Sequence, residues 1–436
     1  MKKRLLSLAL GTMMVLSTLA GCGSKDGGSA AVNTKPEEQG KVLNIYCWNE
    51  EFKSRFEGYY KNVPSDVKVN WVITPNENNA YQNALDAALL KQKDAAADDK
   101  IDMFLIEADY ALKYVNSDYT LDVKDVGLTD DDLKDMYQYT KDIATDSKGK
   151  LKATTWQATP GLFAYRRSIA KDVLGTDDPD KVQEALSTWD KFDKVAEQAA
   201  AKGYKMLSGY DDSYRVFSNN VSAPWVDSNN KIVIDDNIMK WVDQTKKYTD
   251  KGYNNKSSLW DSTWAADQGT SGKVFGFFYS TWGINFTLLG NSLATPVKEG
   301  GKEEVGNGIY GDYAVCEGPQ SYYWGGTWIC AAAGTDKATM KKITEDTQDY
   351  TNTTSGMNEI ASSNFKSDFL GGQNHIKLFA KSAPKISMKN ISSYDQGLNE
   401  EFQKAMKDYF DGNVTKDKAL DNFYKAAIEK YPNLSK

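Results

Sequence analysis

Residues able to do chemistry are unevenly spread through this 436-residue sequence, and one type is almost missing: the only histidine is His375. Multi-histidine metal sites are therefore excluded. Every Ser-His-Asp or Cys-His scheme would have to run through His375, which lies in the polar stretch Gly371-Gly-Gln-Asn-His375 and is expected at the surface or a hinge. What recurs instead is an aromatic ring beside a planar polar group. Trp48 precedes Asn49 and Glu50, Glu107 and Asp109 precede Tyr110, and Trp156 precedes Gln157. Tyr210 precedes Asp211 and Asp212, and Trp264 lies between Asp261 and Asp267. Trp225, Trp282 and Trp324 stand among small residues. Such sets suit a ligand with hydroxyls around weakly apolar faces, since rings cover the faces while carboxylates, amides or an arginine pair with the hydroxyls. A buried polar group left unmatched costs about 1–3 kcal/mol, enough to tell epimers apart.

Each of these residues also has a structural reading. Glu107 and Asp109 could cap a following helix, Asp211 could close a turn, and Arg166 could pair with a hinge carboxylate. Trp189 and Trp241 fall on helical patterns and are expected in the core. The runs Asp130 to Asp132 and Asp177-Asp178 lack the spacing of a calcium loop and read as helix starts. No metal and no cofactor are expected.

Charge and length narrow the classes further. There are 53 Lys and Arg against 60 Asp and Glu, a net charge of −7, which leaves no broad basic surface and excludes a nucleic-acid partner. A chain of this length exceeds one ordinary core and divides into about two domains.

The elements that must carry these residues alternate between strand and helix. Val42 to Cys47, Val67 to Ile73 and Ile101 to Ile106 read as strands, with helices from Glu51 to Lys61 and Asn79 to Lys93 between them. This β-α-β-α-β series predicts an α/β fold with a mostly parallel sheet flanked by helices, in which ligands bind beyond the carboxyl ends of the strands. The aromatic and polar pairs sit at those ends. Pro160-Gly161 breaks a strand that would otherwise run on to Tyr165. Ser187 or Thr188 could cap a helix that Gly203 ends, and the chain closes with amphipathic stretches from Asn399 to Phe410 and Lys416 to Lys430. Strands are also expected at Tyr204 to Ser208, Val274 to Tyr279, Tyr313 to Val315 and Thr327 to Ala333.

The N-terminus supplies an address. Lys2, Lys3 and Arg4 precede a short apolar stretch ending in small residues, the pattern of a secretory signal over 1–21. Leu19-Ala20-Gly21-Cys22 resembles the bacterial lipobox, which implies cleavage before Cys22, its lipidation, and a mature charge of −10 after three basic residues are lost. Residues 22–40 form a lipidated flexible tether, whose Gly-, Ser- and charge-rich part would reach roughly 20–25 Å. Among the remaining cysteines Cys47, Cys316 and Cys330, buried free thiols are favoured over a Cys316–Cys330 bridge.

Four segments then carry a family resemblance: Ile101 to Tyr110, Gly149 to Arg167, Ser187-Thr-Trp189-Asp190-Lys-Phe, and Gly325-Gly326-Thr-Trp328-Ile followed by Lys337 to Tyr350. Together they resemble extracellular solute-binding proteins of bacterial ABC importers, in the carbohydrate-carrying group. The resemblance implies a two-lobed periplasmic-binding-protein fold of type II, joined by hinge strands, with a cleft that closes on ligand. Lobe one would be 41–158 plus 312–350 and lobe two 159–311 plus 351–436. It implies no enzyme but a lipid-anchored monomer on the outer face of the cytoplasmic membrane. That monomer would bind a sugar or oligosaccharide and deliver it to ABC permease subunits, touching the membrane only through the lipid. The expected ligand contacts are Trp48, Asn49, Glu50, Glu107, Asp109, Gln157, Arg166, Asp211, Trp225, Trp264, Trp282 and Trp324. Gln157 stands where the family commonly has a carboxylate, and Arg166 where it commonly has Asn. Two alternatives remain: the same fold binding a peptide, polyamine or other cation, and a lipid-anchored glycoside hydrolase using a carboxylate pair such as Glu107 and Asp109.

Overall fold

The computed structural model describes residues 40–60, 63, 65–333 and 354–436. The signal segment, Cys22, nearly all of the tether and the helix expected from Lys337 to Tyr350 lie outside the described residues.

The described strands are β1 (Val42–Cys47), β2 (Lys68–Ile73), β3 (Met103–Glu107), β4 (Ala153–Thr155), β5 (Gly161–Arg166), β6 (Gly276–Ser280), β7 (Tyr313–Cys316) and β8 (Thr327–Ala331). They form a five-stranded sheet in the order β2-β1-β3-β8-β4 and a three-stranded sheet in the order β6-β5-β7. In the first sheet β1 is parallel to both β2 and β3, as the alternating strand–helix pattern predicts. β8 runs antiparallel between β3 and β4.

The period-2 geometry of β3 divides it between two cores. Met103 and Leu105 face Leu43, Ile45, Phe52 and Phe56, while Phe104 and Ile106 face Tyr81, Leu85, Leu89 and Tyr114. Every apolar residue of the strand is buried, as expected where helices cover both faces of a sheet. The covering helices span Glu51–Tyr59 and Ala80–Leu89, shorter than the apolar pattern suggested. Asn78 and Asn79 take left-handed backbone (φ 51° and 61°) and delay the second of them.

The second sheet departs from the expected mostly parallel pairing. Both of its ladders are antiparallel, and among the described residues parallel pairing in that half is confined to single bridges, Lys205 to Val274, Gly209 to Ser257 and Lys231 to Ser435. It also moves a boundary. Tyr313–Cys316 was expected with lobe one, yet β7 pairs with β5 in the second sheet, so the chain returns to the first sheet only at β8. An apolar run of four residues carries no mark of which sheet it will join. Among the described residues two close segments link the halves: Trp156 to Pro160 leads from β4 to β5, and Tyr322 to Gly326 leads into β8. Gly161 is required at this junction, since a Cβ there would stand 2.1 Å from the Tyr322 ring.

Helices over Trp189–Ala201, Asp236–Lys251, Asp395–Phe410 and Lys416–Lys430 complete the second half. Thr188 caps the first of them through the backbone N–H of Lys191, and Gly203 follows its end with φ +82°. Trp241 is fully buried against Phe402 and Phe410, as expected of a core residue. Cys47, Cys316 and Cys330 are buried free thiols. His375 corrects an expectation. It is 4% exposed, packed between Phe365 and Phe379, and burial pushes its pKa down to about 4. The stretch around it is polar in composition, but the helix Ile376–Ser382 that it precedes folds its ring inward.

Candidate functional site

A cavity of about 890 Å³ opens where strand ends of both halves converge. The carboxyl end of β1 supplies Trp48, Asn49 and Glu50. Asn49 accepts a hydrogen bond from the Glu51 N–H at 3.0 Å, which fixes the start of the helix Glu51–Tyr59. That helix carries Glu51, Ser54 and Arg55 along the cavity wall. Trp48 is half-buried and meets Tyr81 edge-on, with ring centres 5.4 Å apart.

The junction after β4 contributes Gln157, which is buried and donates from Nε2 to Glu51 Oε1 at 2.7 Å. Arg55 donates to the same oxygen from Nη2 at 3.1 Å. The end of β3 contributes Glu107, whose Oε2 accepts from the Asp109 N–H at 2.8 Å. Burial, reinforced by the neighbouring Asp109 carboxylate, raises the Glu107 carboxyl above the usual range.

From the second half, β6 ends in Thr281 and Trp282 at the start of a helical segment. Thr281 Oγ1 donates to the Ala158 carbonyl, and Trp282 Nε1 donates to the Trp324 carbonyl, each at 2.9 Å. Gly325 lets the indole approach: it has φ +73°, and a Cβ there would lie 2.9 Å from Trp282 Nε1. Trp324 lies parallel to Tyr279 with centres 5.9 Å apart, and the Arg215 guanidinium sits 5.3 Å from its ring centre. Flanked in this way, Trp324 gives the cavity mainly an edge.

Of the residues expected to contact ligand, Trp48, Asn49, Glu50, Glu107, Gln157, Trp282 and Trp324 line this one cavity. The others lie elsewhere. Asp109 forms a bidentate ion pair with Arg215 at 2.8 and 2.6 Å. Arg166, at the far end of β5, pairs with Asp312 at 2.8 Å, the structural reading noted from sequence. Asp211 accepts from the Leu259 N–H at 3.3 Å outside the cavity. Trp264 is core and donates to Asp212, whose carboxyl burial pushes up to about 7. Trp225 packs on Phe402 and Phe423 and donates to Asn399.

Sequence reasoning missed Trp260 and Phe286. Trp260 is 57% exposed, holds left-handed backbone at φ +73°, and lies parallel to Trp282 with centres 6.0 Å apart. A bulky residue in that backbone region is strained, and such strain concentrates at functional sites. Phe286 is 79% exposed and follows Trp282 by one helical turn along the cavity wall. The spacing from Trp282 to Phe286 was the available signal for Phe286.

The arrangement can hold a ligand between aromatic surfaces from both halves while planar polar groups reach its edges. Comparison with known proteins agrees with a binding role. Among curated proteins none matches the sequence. Of the solved structures that share the fold, an extracellular solute-binding protein of family 1 superposes with TM-score 0.70 at 15% identity, covering 89% of this chain and 99% of its own. The galacto-N-biose-/lacto-N-biose I-binding protein of the ABC transporter from Bifidobacterium longum, in complex with lacto-N-biose, gives 0.65 at 12% identity, covering 92% of this chain and 98% of its own. An ABC-transporter-associated binding protein from Bifidobacterium animalis subsp. lactis, in complex with β-1,6-galactobiose, gives 0.62 at 16% identity, covering 90% and 98%. The sequence itself matches the family description "Bacterial extracellular solute-binding protein" over residues 52–356, and the chain belongs to that family of binding proteins, which work outside the cytoplasm.

Proposed function

We propose that the protein captures a sugar or oligosaccharide in the aromatic cavity and delivers it to ABC permease subunits. The observation that carries this reading is the pairing of Trp48 from the first half with Trp282 from the second, with Asn49, Glu107 and Gln157 on the same cavity. Rings on both sides suit the two faces of a pyranose, and the planar groups suit its hydroxyls. The named ligands of structural relatives, lacto-N-biose and β-1,6-galactobiose, are of the same class. Two lobes built on the two sheets close about the junctions near Pro160 and Gly325, and ligand contacts from both sides favour the closed population. The signal segment and the lipobox ending in Cys22 support a mature chain anchored by lipid on the outer face of the membrane, where it would act as a monomer.

Isothermal titration of the mature chain against a glycan panel, with peptides and polyamines as a second panel, tests the reading. Heat from a glycan and none from amines is expected. Binding confined to amines would replace carbohydrate by a cationic solute in the same cavity.

A further inference from the structure

We propose that the Asp109–Arg215 ion pair is a length stop that closes the inner end of the aromatic cavity and confines the ligand to a short glycan. This rests on the carbohydrate reading above. The turn after β3 hands successive residues to different spaces. Glu107 lines the aromatic cavity, whereas Ala108 and Asp109 line a separate chamber of about 200 Å³. Arg215, from the helix Tyr214–Ser218, lines that chamber as well. Its guanidinium meets both oxygens of Asp109 and lies against the ring of Trp324, which borders the aromatic cavity. The partition between the two spaces is therefore Trp324 backed by the ion pair.

Behind the partition the lining changes character. Asn219, Asn390 and Asn399 bring amides, and Asp235 and Asp395 bring carboxyls. The carboxyls are taken up by Ser222, Ala223, Asn237 and Ser392, and Oδ1 of Asn219 and Asn399 and Nδ2 of Asn390 are engaged as well, so the amide ends left over, NH₂ of Asn219 and Asn399 and the carbonyl of Asn390, are what this space offers to the hydroxyls of a further sugar ring. The pair is well suited to hold. Its side chains keep only 26% and 29% of their exposure, and parting a bidentate, partly desolvated pair leaves two unmatched charges. Neither partner lines the aromatic cavity, so a ligand there leaves the pair intact.

The test measures affinity by titration calorimetry for malto- and β-1,6-galacto-oligosaccharides of increasing length, in the mature chain and in the double variant Asp109→Asn with Arg215→Gln. That variant keeps hydrogen-bonding side chains, shortens the one at position 215 and removes both charges together. In the unaltered chain affinity should stop rising at a short member. In the variant the plateau should move to a longer member, bound about tenfold tighter than by the unaltered chain. A plateau at the same length in both proteins, with all affinities lowered by one factor, would make the pair a structural support and overturn the stop. Affinity that climbs with every added unit in the unaltered chain would overturn it too. Binding of no glycan, in these series or the wider panel, would instead refute the carbohydrate reading on which the stop depends.

Discussion

Replacing Trp282 by Ala tests the site most directly. Trp260 lies parallel to the indole, Trp324 meets it edge-on and Phe286 approaches it at 61°, so the surface it leaves to the cavity is about one ring face. Taking that face as roughly 80 Å² at about 25 cal/mol per Å², covering it with a ligand is worth about 2 kcal/mol. Its loss should raise Kd about 30-fold. Trp282 is only half-buried, so the fold should lose no more than about 1–2 kcal/mol, measurable by urea unfolding at unchanged m-value. Titration of the best glycan from the panel reads the affinity. Trp282→Phe should recover most of it, because a smaller ring still offers a face. Trp324→Phe should cost less than Trp282→Ala, since Trp324 presents an edge. The reasoning is refuted if Trp282→Ala leaves Kd within about threefold of the unaltered protein while Trp324→Phe abolishes binding.

Other substitutions probe separate links. Gly325→Ala places a Cβ against Trp282 Nε1 at a backbone angle unfavourable to side chains; a stability loss of about 1–2 kcal/mol with weakened glycan binding is expected in paired unfolding and titration experiments. Gln157→Glu sets a second carboxylate beside Glu51, where the amide now donates at 2.7 Å; binding at neutral pH should weaken and partly recover in mild acid. His375 supplies a pH dependence of known sign. Its folded pKa, about 4, lies below the ordinary value of 6.5, so the unfolded chain binds the proton first and stability falls as pH drops from about 6.5 towards 4. The loss should approach about 3 kcal/mol at pH 4, and His375→Gln should remove this part of the pH profile in denaturant titrations.

The elements that obey local rules, in both halves of the fold, were readable in sequence. β1 and β3 are apolar runs of strand length, Thr188 caps its helix in place, and the last two helices begin and end within a few residues of their apolar pattern. β7 was readable as a strand and not as a member of the second sheet, because its partner lies some 150 residues earlier. The site divides the same way. Trp48, Glu107 and Trp282 stand at strand ends, where chain order alone brings a ligand-facing position. Asp109 and Arg166 also stand at strand ends but are claimed by Arg215 and Asp312, more than a hundred positions away in each case. Trp260 carries no such mark: it precedes Asp261, which caps the next helix through the Trp264 N–H, and the left-handed backbone at Trp260 turns its ring to lie along Trp282.

On the proposed carbohydrate reading, the bond from Trp282 Nε1 to the Trp324 carbonyl also bears on how one sugar would be told from another. An indole whose sole donor is already engaged meets a ring only through its face, and a face covers glucose and galactose alike. Stereochemical reading must then fall to the planar polar groups. Asn49 has given its oxygen to the helix and retains an NH₂. Gln157 has given its NH₂ to Glu51 and retains a carbonyl. Asn49 is thus left as a donor and Gln157 as an acceptor on one wall, each with its orientation set by the protein before any ligand arrives. A sugar hydroxyl can serve either group, since it both donates and accepts, so what is read is its position: an epimer that brings hydroxyls within reach of both groups fits, and one that directs them away leaves both unsatisfied.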